Sequence, residues 1–81
     1  MIHPEIRDFQ LQELLERLHE ELEPRASEKR LKLRCSSPEV VVRSDPALLE
    51  RILRNYLSNA IRYTERGTVS LYAEREDNID R

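Results

Sequence analysis

Glycine is almost missing from this chain. The only one among 81 residues is Gly67. A glycine-rich phosphate-cradling loop therefore has nothing to be built from. There is one cysteine, Cys35, so no internal disulfide can form, and the usage fits a reducing compartment. Tryptophan is absent and phenylalanine occurs once. No apolar run approaches the roughly 20 residues that span a bilayer. The N-terminus is polar and lacks the apolar stretch of a signal peptide. Charge of one sign is missing too. Charged residues make up 37% of the chain, yet the formal net charge is −2, without the basic excess of a nucleic-acid binder. The length suits one small domain.

What is present is two amphipathic helices and several short strands. Met1 to Asp8, broken by Pro4, reads as a linker or frayed end, and His3 stands there without partners. Phe9 to Leu11 can begin with a short extended piece. From 11 to 28, Leu11, Leu14, Leu15, Leu18, Leu22 and Ala26 keep one helical face, with acidic residues opposite. Pro24 cannot donate a hydrogen bond and crowds the carbonyl of Glu20, but Ala26 stays in register, so a bend that runs on is favoured over a stop. Leu31, Leu33 and Cys35 alternate, giving a strand over 30–35. Ser36 to Glu39 reads as a turn, and Val40 to Val42 begins a second strand over 40–43. The two are expected to pair antiparallel. Cys35 reads as core filling.

The best-defined stretch is DPALLERILRNYLSNAIRYT, Asp45 to Thr64. Asp45 suits the N-cap and Pro46 the first helical position. Gly67 is expected to supply the left-handed turn that closes the helix, which spans 46–63. Leu48, Leu49, Ile52, Leu53, Tyr56, Leu57, Ala60 and Ile61 fill one broad apolar arc. Asn55, Asn59 and Arg62, at i, i+4 and i+7, form a polar ledge beside it, where core meets solvent, and Tyr63 projects between the two. Carboxamide oxygens are hard ligands of the kind Mg²⁺ accepts. A guanidinium can fork onto phosphate, and an aromatic ring can lie against a sugar or base. Taken alone, two asparagines one turn apart are commonly solvated boundary residues, although asparagine's poor helix propensity asks for some reason. A strand over 67–75 follows, with Val69, Leu71 and Ala73 on one face. Glu76 to Asn78 reads as a hairpin turn.

Arg54 to Thr64, RNYLSNAIRYT, resembles the N box of sensor histidine kinases, whose ATP-binding fold is shared with gyrase, the Hsp90 chaperones and the MutL mismatch-repair ATPases. The order of elements, Asp-Pro entry included, fits from about Phe9 to Ala73. The resemblance implies an α/β two-layer sandwich of the Bergerat type, with helices on one face of a mixed sheet. It implies that Asn59 coordinates Mg²⁺, that Asn55 joins the same metal and phosphate environment, that Arg62 approaches the phosphates of ATP, and that Tyr63 lines the nucleotide site. Hydrolytic relatives place a glutamate at the position of Asn55. An asparagine cannot act as that base, which favours phosphoryl transfer to a protein histidine over ATP hydrolysis.

His19, Glu20 and Pro24 reproduce the spacing around a phospho-accepting histidine, but that helix stands much farther ahead of the N box in the family, so His19 reads as an ordinary helix residue. No Asp-x-Gly-x-Gly motif follows. Residues 9–81 are thus expected to be the first part of an ATP-binding domain, ending before that motif, inactive alone and prone to self-association through uncovered apolar surface. The implied partners are ATP, a response regulator, and the upstream dimerisation and phospho-acceptor helices of a parent kinase in the cytoplasm. The alternative is a non-catalytic interaction or dimerisation module that keeps the fold.

Overall fold

The computed structural model describes residues 3–74. The expected hairpin turn at 76–78 lies outside them. The elements are β1 (Arg7–Gln10), α1 (Leu11–Glu28), β2 (Lys32–Ser36), β3 (Val41–Ser44), α2 (Pro46–Tyr63) and β4 (Thr68–Tyr72). The α/β class is as the sequence implies. The extended piece before α1 begins at Arg7, inside the stretch read as a linker.

The strand pairing differs from the expectation. β2 and β3 do not pair across Ser37–Val40. β1 pairs antiparallel with β3, Gln10 opposite Val41 and Arg7 opposite Ser44. β2 pairs parallel with β4, Leu33 opposite Val69 and Cys35 opposite Leu71. Two two-stranded sheets therefore replace a single mixed one. The cause is burial. Leu31, Leu33 and Cys35 must share a face with Val69 and Leu71 to cover the helices, and a parallel ladder with α2 as its crossover helix achieves this. β1 and β3 each lead directly into a helix. Their ladder holds the two helix entrances together, and Leu11 N–H donates to the Val40 carbonyl at 3.2 Å in place of a side-chain cap.

The core comprises Leu14, Leu18, Leu22 and Ala26 from α1, Leu31 and Leu33 around β2, Leu57 and Ile61 from α2, and Val69 from β4. Each fully buried leucine contributes about 1.5–3 kcal/mol relative to exposure. α1 runs unbroken through Pro24, which lies with Glu20 on the exposed side, where water can serve the carbonyl that proline leaves free.

Both helix ends are built differently from the sequence expectation. α1 has no glycine at its end. Arg30 takes the left-handed conformation itself, with φ 60°. Its N–H donates to Ser27 and that of Leu31 to Ala26, the paired bonds of a Schellman motif, with Leu31 and Ala26 both in the core. α2 ends at Tyr63 with Thr64 extended. Gly67 does take a left-handed φ of 105°, but in the turn into β4, where its carbonyl accepts from Lys32 N–H. It does not close the helix. The last carbonyls of α2 are met from α1 instead: Lys29 Nζ donates to Ile61 at 2.7 Å and to Arg62 at 2.9 Å.

Candidate functional site

α2 sets the site, and its start is firmly fixed. Asp45 accepts from Leu48 N–H at 3.1 Å and from Glu5 N–H at 3.0 Å. These two backbone donors hold its carboxyl below the usual range, Leu48 having the larger effect. Pro46 occupies the first turn as the sequence suggests.

The polar residues of α2 divide by what they face. Glu50, Arg54 and Ser58 recur every four residues and meet Arg17, Glu21 and Arg25 of α1, also four apart. Arg17 bonds Glu50 at 3.1 Å, Arg54 reaches Glu21 at 2.6 and 2.8 Å, and Arg25 lies 3.4 Å from Ser58. Both series ascend together, so the two helices run parallel. Arg54 also bonds Glu50 at 2.6 Å. The hydrogen bond from Arg54 holds the Glu21 carboxyl below its usual range, and Glu21 and then Glu50 in turn raise the guanidinium above its own. This motif residue is a structural tie between helices.

Asn55 and Asn59 come one residue after Arg54 and Ser58. They are therefore about 100° farther around the helix, on the side turned from α1. Both are exposed. Arg62 and Tyr63 complete the ledge at the helix end, with the Arg62 guanidinium carbon 5.6 Å from the Tyr63 ring centroid. The fold thus places all four residues on one open surface.

The apolar arc is where the structure departs from the sequence reading. Only its far half is in the core. Leu57 and Ile61 are buried, and Leu49, Leu53 and Ala60 are partly so. The half nearest the ledge is open: Leu48, Ile52 and Tyr56 are 48%, 54% and 57% exposed, and Tyr63 is 74% exposed. The ledge accordingly stands beside an uncovered apolar strip and not at the rim of the core.

This surface is open, whereas a small-molecule site normally encloses most of its ligand. A groove of about 420 Å³ borders the strip at Leu48 and Arg51, and one of about 580 Å³ runs along β2 and α1, lined by residues that include Glu16, His19, Cys35 and Tyr72. We assign it no catalytic role. His19 Nε2 lies 2.8 Å from the Leu33 carbonyl and ties α1 to the strand, while burial raises the Cys35 thiol above its usual range. Among the described residues no group of three or more His, Cys, Asp or Glu could hold a metal ion. A cation held by Asn59 and Asn55 would need its remaining oxygens from water and phosphate, which is the habit of Mg²⁺. The donor set fits a metal that arrives with a nucleotide.

No protein-family model matches the chain. It is 40% identical over 75 residues to the sensor histidine kinase AruS of Pseudomonas aeruginosa, an overlap of 89% of this chain and 8% of that protein. It is 42% identical over 62 residues to the sensor protein CreC of Escherichia coli, 75% of this chain and 13% of that one. Its fold superposes on ShkA, solved full-length in complex with AMPPNP, with a TM-score of 0.86 at 31% identity, over 94% of this chain and 17% of that one.

The chain is related to the sensor histidine kinases.

It spans less than a fifth of the length of each of these three proteins. Within that span the similarity to ShkA covers 94% of this chain. The sequence motif had pointed to the ledge. It gave no sign of Lys29, whose reach to the end of α2 depends on the two helices running parallel.

Proposed function

We propose that the chain is the ATP- and Mg²⁺-binding portion of a two-component sensor histidine kinase. The observation that carries this reading is that Asn55, Asn59, Arg62 and Tyr63 emerge together on the face of α2 that nothing in the described fold covers. Asn59, with Asn55 beside it, would hold Mg²⁺ through carboxamide oxygens. Arg62 would pair with phosphate oxygens, and Tyr63 would lie against the sugar or base. Bound Mg²⁺ would supply charge neutralisation at the phosphates. The ShkA complex with AMPPNP supports nucleotide binding at this fold. The parent would pass phosphate from ATP to a protein histidine and on to a response regulator, working in the cytoplasm with its upstream dimerisation and phospho-acceptor helices. No described helix is long and apolar enough to cross a membrane.

The 81 residues alone offer one open face, so weak nucleotide affinity and no kinase activity are expected. The test is acid-labile phosphate incorporation from labelled ATP in the complete natural chain. Asn59→Ala is expected to abolish it. Retained incorporation would remove the metal role of Asn59.

A second reading has its own support. The open strip of Leu48, Ile52 and Tyr56 suits a non-catalytic interaction or dimerisation module. It anticipates that Asn59→Ala leaves every activity intact. It also anticipates that the isolated chain dimerises in size-exclusion chromatography with light scattering, and that Ile52→Glu returns it to monomer.

A further inference from the structure

We infer that Lys29, the C-cap of α1, is a positioning residue for the nucleotide ledge on α2. The inference rests on the nucleotide reading of that ledge. A helix leaves its last four carbonyls without intrahelical partners. In α2 the Ala60 carbonyl receives Thr64 N–H at 3.0 Å, and the next two, Ile61 and Arg62, receive Lys29 Nζ at 2.7 and 2.9 Å. The side chains that leave this same turn are Arg62 and Tyr63, the groups assigned to phosphate and base. Holding these carbonyls fixes the backbone from which both side chains depart.

The donor is itself held in place. Lys29 is the C-cap of α1, and its own N–H returns to Ala26 at 3.0 Å. The next residue, Arg30, pays for a left-handed φ of 60° so that Leu31 can enter the core. There is also an electrostatic reason for a cation here. α1 and α2 run parallel, as the ascending Arg17–Glu50, Glu21–Arg54 and Arg25–Ser58 contacts show, so their partly negative C-terminal ends lie side by side. One ammonium between them relieves both. Lys29 is exposed as a residue and is not a member of the core cluster.

The test is the Kd for Mg²⁺·ATP of the complete natural chain, measured beside the melting temperature of each variant. Lys29→Met keeps an unbranched stem and loses the donor. It is expected to weaken binding roughly tenfold, the lower end of what losing a partner that orients a ligand costs, while the fold still melts cooperatively. Lys29→Arg is expected to restore most of the affinity. In an Arg62→Ala/Tyr63→Ala background, Lys29→Met is expected to add almost nothing, because its effect passes through those side chains. Unchanged affinity in Lys29→Met, with Asn59→Ala still damaging, would overturn the Lys29 role and leave the nucleotide reading standing. A full tenfold loss in the Arg62→Ala/Tyr63→Ala background would overturn it as well, since Lys29 would then act by another route. If the unaltered chain binds no Mg²⁺·ATP, the nucleotide reading fails and the Lys29 role falls with it.

Discussion

α1 and α2 are both 18 residues long and both amphipathic, but they spend their apolar residues differently. α1 buries Leu14, Leu15, Leu18, Leu22 and Ala26 and leaves a charged face to water. α2 buries only Leu57 and Ile61, and holds Leu48, Ile52 and Tyr56 in the open next to two asparagines that engage no part of α1. α1 is therefore a core helix. α2 has an apolar arc wider than the core it serves, and the surplus adjoins the polar ledge. That is the arrangement of a helix with a second surface to cover, by ligand, by further protein or by both.

The contrast can be broken most forcefully at the core. Leu18, fully buried on α1, is expected to cost about 2–5 kcal/mol when cut to alanine. Ile52→Ala on the open strip of α2 is expected to stay within about 0.5 kcal/mol. Urea denaturation of the isolated chain measures both, and similar losses would mean that the open strip is covered in solution. Next in size is the tie between the helices. Arg54→Gln is expected to lower the melting temperature by less than Leu18→Ala, with the deficit shrinking in 1 M salt because the ion pairs it removes are only half-buried and still reached by solvent. A smaller effect of opposite sign is expected at the end of α1. Arg30→Gly relieves a left-handed non-glycine residue and should raise stability by up to about 1 kcal/mol.

The acid limit sharpens the comparison further. Asp45 and Glu21 both have carboxyls held below their usual range in the fold, by the α2 backbone N–H groups and by Arg54 respectively. Groups of this sign add stability that is complete above the unfolded value near 4 and is lost as pH falls through the lower folded value. Asp45 caps α2 and Glu21 ties α2 to α1. Amide exchange on lowering the pH below about 4 is therefore expected to loosen α2 before the buried stretch of α1.

Much of this was legible in the sequence because it obeys local rules. The period of Leu14, Leu15, Leu18, Leu22 and Ala26 gave α1, and Asp45-Pro46 marked the start of α2 to the residue. The alternation of Leu31, Leu33 and Cys35 gave β2. Pairing was misread because Ser36 to Glu39 looks like a hairpin turn, while partner choice depends on which strands must share a face over the helices. The strand–helix–strand order of β2, α2 and β4 was the available sign of a parallel ladder. The end of α2 was misread because the lone glycine drew the cap to itself, when the carbonyls are met by Lys29, 32 residues before Ile61. The apolar arc was visible on the wheel, but no periodicity says which half of it a small core will reach. The ledge residues were named from the motif, and the fold sets them on one surface.

The most direct test compares neighbours on α2 that face different ways, about 100° apart. Ser58 lies toward α1 and Asn59 away from it. In the complete natural chain, the Kd for ATP is measured with and without Mg²⁺ in Asn59→Ala and Ser58→Ala. Asn59→Ala is expected to lose about 10–100-fold in affinity and most of its dependence on Mg²⁺, as removal of a metal-holding group should, while Ser58→Ala binds as the unaltered chain does. Equal effects of the two substitutions, or Mg²⁺ dependence that survives Asn59→Ala, would contradict the assignment of the open face of α2 to a magnesium nucleotide.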